Sequence, residues 1–376
     1  MRAALVLLAL SGPAAHAQIS SVKESEFDRG CDTTIDLRTP GEAMEHVGVR
    51  DQTSEAHCYA EVAAQMVDAW RFTHGDTHYA HQTSGYALAL EASLNLFETG
   101  ISRPDGTVSG GDVCRAVTSA RNTGSCDRRA VLEHLIEGRI DRTVDILRGY
   151  YDEYHAWRDS RSATLAGIEA MTRGGASPGQ EIACQLYTEI LDRRIDSELR
   201  PSLDAILQLL DEENPLDYLQ GMMTQACQAP HVIRLSRLPS CTNLPTLSAS
   251  MANGAVARSL QSQRQPVAIS YCSSVLSGGR GTETGAYGLL PAIARVPLPS
   301  CYPHVSLVIG QRRNPTTRRC QFLVRNSWGD SCLGTGPASG RSSAQYSSDW
   351  QCEGGNIWVD ADVLSQNISF VGTLGR

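Results

Sequence analysis

The sequence predicts an α+β protein: a helical segment, an inserted helical hairpin and a strand-rich C-terminal part. Three observations carry this reading. From Cys58 onward, Val62, Ala63, Met66, Val67 and Trp70 recur at helical spacing. Between about residues 127 and 226, two long apolar stripes follow the same period on either side of "TRGGASPGQ". After about residue 228 the chain changes to short, β-branched, partly alternating runs separated by Gly/Ser-rich loops.

The elements follow in chain order. "MRAALVLLALSGPAAHAQ" begins with one positive charge, Arg2, then an apolar run, then Ala15-His16-Ala17. This pattern predicts a secretory signal peptide over residues 1–17, too short to span a bilayer. The mature chain is therefore expected to be exported, either secreted or periplasmic. Residues 18 to about 48 are polar and irregular, with a turn at Pro40-Gly41. The helix from Cys58 has apolar or small residues on two faces, which predicts deep burial. A second helix is expected over 86–97. "RPDGTVSGGDVC" is a turn-rich loop in which Gly110-Gly111 can adopt conformations closed to other residues. The N-terminal region is placed at 18–126, the inserted unit at 127–228 and the C-terminal region at 229–376.

The insertion carries Leu132, Ile136, Ile140 and Val144 on its first stripe and Ile182, Leu186, Ile190 and Leu203 on its second. It holds 19 acidic and 11 basic residues, so 19 − 11 accounts for the whole net charge of −8. A solvated outer face explains such a surface. The strands of the last region are predicted in "QPVAISYC" (265–272), "HVSLVIGQ" (304–311), "CQFLVRN" (320–326) and "GNIWVDA" (355–361). "TGPASGRSSAQYSSDW" is read as a mobile surface loop closed by Cys332 and Cys352.

Net charge −8 argues against a nucleic-acid binder. No later stretch is long and apolar enough for a membrane span. The 12 cysteines agree with an oxidising compartment. With Cys58 set aside, eleven remain, so at most five pairs can form among them. Cys114 and Cys126 read as a local disulfide. No close His/Cys cluster has zinc-site spacing, so neither a metal nor another cofactor is expected.

Catalysis by a thiol needs a nucleophile, a proton shuttle and donors for an oxyanion. Cys58 stands where a helix begins, and a helix N-terminus favours a thiolate. His304 heads an apolar strand, and Asn326 ends the next. Antiparallel pairing would bring the end of one beside the start of the other. The amide oxygen of Asn326 would then accept the Nδ1 proton of His304 and leave Nε2 for Cys58.

"HVSLVIGQRRNPTTRRCQFLVRNSWGDSC" resembles the His-strand-strand-Asn-Ser-Trp-Gly segment of the papain family of cysteine peptidases. "DQTSEAHCYA" resembles that family's Gln-x5-Cys-[Trp/Tyr]-Ala segment, Gly110-Gly111 its Gly-Gly at the cleft rim, and "GGNIWVD" its closing strand. The order of these blocks is that of the family. The resemblance implies a papain-like two-lobe fold, helical and β-rich, that hydrolyses peptide bonds through a Cys58 thioester. Cys58 is then the nucleophile, His304 the base and acid, and Asn326 the residue that orients it. Gln52 donates to the oxyanion beside the Cys58 backbone N–H. Trp328 shields the His304–Asn326 bond, and Gly110 and Gly111 contact substrate. The partner implied is a peptide or protein substrate.

The chain departs from the pattern in places. Glu55 stands where the family has a second cysteine, and Tyr59 replaces the commoner Trp. The loop between Cys332 and Cys352 replaces a second Trp-Gly, and no typical helical propeptide precedes Asp51. Cys58 and His304 are 246 residues apart, against an expected ~130–150. The helical insertion accounts for the excess and is expected to serve as a lid, an exosite or a partner-docking surface. Two other readings of the same residues are a catalytically silent binding protein and a thiol acyltransferase.

Overall fold

A computed structural model describes residues 31–52, 57–75, 81–98, 110–133, 215–235, 237–277, 303–332 and 346–375. The predicted leader, both stripes of the insertion between 134 and 214, and most of the loop after Cys332 lie outside the described residues. So does Glu55.

The predicted nucleophile helix is present as α1 (Cys58–Thr73). Its sequence carries four alanines along with Glu61, Gln65 and Met66, all good helix formers. It is buried almost all round, which an amphipathic surface helix is not. Helices α2 (Gly85–Glu98) and α3 (Val113–Thr123) pack on it, and on another side it lies against the sheet. Asp112 caps α3 by accepting from the backbone N–H of Arg115 at 2.8 Å. The short α4 (Arg128–Glu133) and α5 (Pro215–Ala226) flank the undescribed part of the insertion.

The ends of that segment meet. Strand β2 (Ser125–Cys126) pairs with β3 (Val232–Ile233), and a disulfide joins Cys126 to Cys227. Cys114 is bonded instead to Cys241. The local Cys114–Cys126 disulfide expected from sequence is therefore wrong. The reason is topological: Cys114 lies on α3, which packs against β4 (Cys241–Pro245), whereas Cys126 faces the return of the insertion.

The main sheet has eight strands among the described residues. The four predicted strands form its centre, as β5 (Val267–Cys272), β6 (Pro303–Arg313), β7 (Cys320–Arg325) and β9 (Asn356–Asp360). Strand β10 (Ile368–Leu374) lies between β4 and β5, β8 (Gln351–Glu353) forms the far edge, and β1 (Ile35–Asp36) pairs with β6. Every pairing is antiparallel. The sequence reading missed β4 and β10. "CTNLP" and "ISFVGTL" carry polar residues and a glycine that blur the alternation, and neighbouring strands decide their state.

Helix α6 (Ala249–Arg258) and α7 (Ala361–Ser365) pack on one another, and α6 also lies against β10. One apolar cluster runs from α1–α3 into the sheet and includes Leu37, Met44 and Val47. The segment read as irregular before Asp51 is thus part of the core. Disulfides Cys31–Cys320 and Cys332–Cys352 are also present, the second as expected, and Cys272 is disulfide-bonded too. No helix among the described residues is long and apolar enough to cross a membrane.

Candidate active site

Cys58 is the first residue of α1 and the free cysteine among the described residues. Its residue is 9% exposed. Burial pushes the thiol up, opposed by the backbone N–H groups of Val305, Tyr59 and Cys58 itself. Desolvation thus works against the thiolate that a helix N-terminus favours, and the three donors work for it. The Val305 donor matters for another reason: it puts the residue beside His304 against the sulfur.

His304 is the second residue of β6 and is buried. Its Nε2 lies 2.6 Å from Oδ1 of Asn326. An amide oxygen only accepts, so Nε2 carries the proton. The two residues do meet, but through the other ring nitrogen from the one expected: Asn326 takes Nε2, and Nδ1 stays clear of it. The register explains it. Leu307 pairs with Arg325, so Ser306 stands opposite Asn326 and His304 sits on the diagonal. A same-face diagonal spans about 7–8 Å, a separation that favours the distal nitrogen of the ring. Burial pushes the His304 imidazole down to about 4, with the Asn326 bond acting in the opposite sense.

Asn326 is held from several sides. Its Oδ1 also accepts from the Ser327 backbone N–H at 2.8 Å and from Ser306 Oγ at 3.3 Å. Its Nδ2 donates to Tyr346 Oη at 3.4 Å. Ser306 in turn exchanges a hydrogen bond with Tyr271 Oη at 2.9 Å. Trp328 lies over His304, with ring centroids 4.9 Å apart, and Tyr346 stacks on Trp328 at 6.0 Å and 13°. The Trp328 ring thus covers His304, and Tyr346 packs against Trp328 as a second aromatic.

Gln52 is buried beside this group. Its backbone N–H donates to Ser327 C=O at 2.9 Å, and its Oε1 accepts from Ser327 Oγ. The carbonyl end of the amide is thus turned toward Ser327, so the donor end points elsewhere. Asp51 and Trp328 form an isolated bridge that continues the contact. Gly110 and Gly111 are exposed just before α3. A Cβ on Gly111 would come within 2.4 Å of the Tyr59 ring, and Gly110 has φ +74°. Gly111 therefore borders Tyr59, the neighbour of Cys58, whereas a Cβ on Gly110 would meet nothing within 4 Å.

Sequence reasoning missed Ser306, Tyr271 and Tyr346. Ser306 had a signal, since i and i+2 share a strand face with His304. Tyr346 had none: it sits in the Ser-rich loop read as mobile, yet it is buried against Trp328. Among the described residues no group of His, Cys, Asp and Glu is arranged to hold a metal.

No family model matches the sequence, and neither does any curated protein. Solved structures do resemble its form. Xylellain, a cysteine protease from Xylella fastidiosa, matches over 93% of this chain and 89% of its own, at TM-score 0.39 and 13% identity. The bromelain protease from Ananas comosus matches over 91% and 97%, at TM-score 0.40 and 11% identity. Procathepsin L2 from the larval midgut of Tenebrio molitor matches over 91% and 68%, at TM-score 0.40 and 12% identity. The chemistry of this site is read from its own residues.

Proposed function

We propose that the chain is an exported papain-like cysteine peptidase. The observation that carries this is the His304–Asn326 hydrogen bond, set one residue from the backbone N–H that meets the Cys58 sulfur. With Nε2 committed to Asn326, Nδ1 of His304 takes the thiol proton as Cys58 attacks a peptide carbonyl. The oxyanion receives the Gln52 side-chain N–H and the Cys58 backbone N–H. His304 then protonates the leaving amine, and water hydrolyses the thioester with His304 as base.

Gly110 and Gly111 offer a rim for substrate backbone, and Trp328 keeps water from the His304–Asn326 bond. Export is supported by the disulfides, which persist in oxidising compartments. The insertion acts as a lid or exosite in this reading. Its removal changes cleavage of folded proteins more than of short peptides.

The test is a peptide library assayed with wild type and Cys58→Ala, together with iodoacetamide labelling of the unreduced protein across pH. Hydrolysis lost in Cys58→Ala, and labelling at Cys58 that climbs with pH and weakens in His304→Ala, support a thiol peptidase. A folded chain that labels at Cys58 but cleaves no peptide refutes it. Transfer to added amines in preference to water would make it an acyltransferase.

A further inference from the structure

Behind the nucleophile lies a buried charged network that the mechanism above does not use. Arg50 is 1% exposed and stands two residues before Gln52. Its Nη2 donates to Asp68 Oδ2 at 2.7 Å, and its Nη1 to Thr83 C=O at 2.6 Å and Glu61 Oε2 at 3.4 Å. Both carboxylates belong to α1. Glu61 Oε1 in turn lies 3.4 Å from Nε2 of His57, the residue that precedes Cys58. The backbone of Arg50 points the other way: its C=O accepts from the Gly329 N–H at 3.0 Å.

Arg50 therefore touches both halves of the site. Its side chain grips α1, whose first N–H belongs to Cys58. Its backbone, with Gln52, is laid along Ser327–Gly329. The two oxyanion donors sit on these two elements, so their separation passes through this one residue.

Stability alone is a poor reason for such a group. Desolvating each ion costs several kcal/mol, and apolar packing of equal volume often does as well. What a guanidinium adds is direction, because its planar fork holds several acceptors in fixed geometry. Lysine carries the charge but not the fork.

We infer that Arg50 is a positioning residue for the oxyanion hole, setting Gln52 against the N-terminus of α1 through Glu61 and Asp68. The inference rests on the peptidase reading above.

The test compares wild type with Arg50→Lys, and with Glu61→Gln should the first not fold. Three quantities are read: kcat and KM on a peptide, affinity for a peptide aldehyde, and the rate of iodoacetamide alkylation of Cys58. The aldehyde forms a tetrahedral adduct that needs the oxyanion hole, whereas alkylation is a displacement at carbon that does not. The expected result is a tenfold or larger fall in kcat and in aldehyde affinity, with KM and alkylation within about twofold. Unchanged kcat and aldehyde affinity in a folded variant overturn the inference. So does an equal fall in all readouts, which marks a residue that only supports the fold. A wild-type chain that alkylates at Cys58 but binds no aldehyde has no oxyanion hole and overturns the peptidase reading with it.

Discussion

His304 donates its Nε2 proton to Oδ1 of Asn326 across 2.6 Å, from a diagonal position on the neighbouring strand. The bond selects one tautomer and leaves Nδ1 as the nitrogen that takes the thiol proton in the proposed reaction. Asn326→Ala removes the acceptor and lets the ring rotate. Peptide kcat/KM should fall by roughly 10²-fold, the lower end of what acid–base catalysis contributes. Melting temperature should fall too, since Ser306, Ser327 and Tyr346 lose a buried partner; full activity in a variant still folded at the assay temperature would contradict the assignment.

The same imidazole makes stability depend on pH. Burial lowers the folded value to about 4, against 6.5 in the unfolded chain. Between these values the unfolded state binds a proton that the folded state refuses. The stabilising contribution is therefore complete above pH 6.5 and is lost as pH falls toward 4. The window corresponds to about 3 kcal/mol at most. Urea midpoints should drop over this range in wild type and drop less in His304→Gln. Identical pH profiles would show that other groups govern the acid limb.

Gly111 is predicted to resist any side chain. A methyl there would overlap the Tyr59 ring, a buried aromatic beside Cys58. Gly111→Ala should cost about 1–3 kcal/mol, the range for forced overpacking. The displaced Tyr59 should lower kcat as well. Urea titration and peptide kinetics check the two effects, and a neutral outcome would show that Tyr59 can move aside.

Tyr346 gives a graded test. Its ring stacks on Trp328 while its hydroxyl accepts from Asn326. Tyr346→Phe keeps the stack and should retain most activity. Tyr346→Ala opens the cover over the His304–Asn326 bond and should lose about tenfold in kcat/KM, as expected for an aromatic contact of ~1.5 kcal/mol. Equal losses in the two variants would assign the effect to the hydroxyl instead.

Much of the candidate site was legible in the sequence because its signals are local. A helix that begins at Cys58, a strand that begins at His304 and one that ends at Asn326 are set by side-chain periodicity, which neighbours along the chain determine. Antiparallel pairing of β6 with β7 follows from their order and the short connection between them. The alternation also made the centre of the sheet readable.

Tertiary structure decided what depends on contacts between distant residues. Which imidazole nitrogen meets Asn326 is a matter of register, and no spacing in the sequence reports it. Cys114 found Cys241 rather than Cys126 because α3 packs on β4. Tyr346 reached Trp328 from a polar loop with no periodic signal. Arg50 became the link between Gln52 and α1 only when Glu61 and Asp68 were buried against it. The sequence by itself determined the residue types and the elements that carry them. Their distances, protonation and partners were decided by burial, which a linear pattern does not contain.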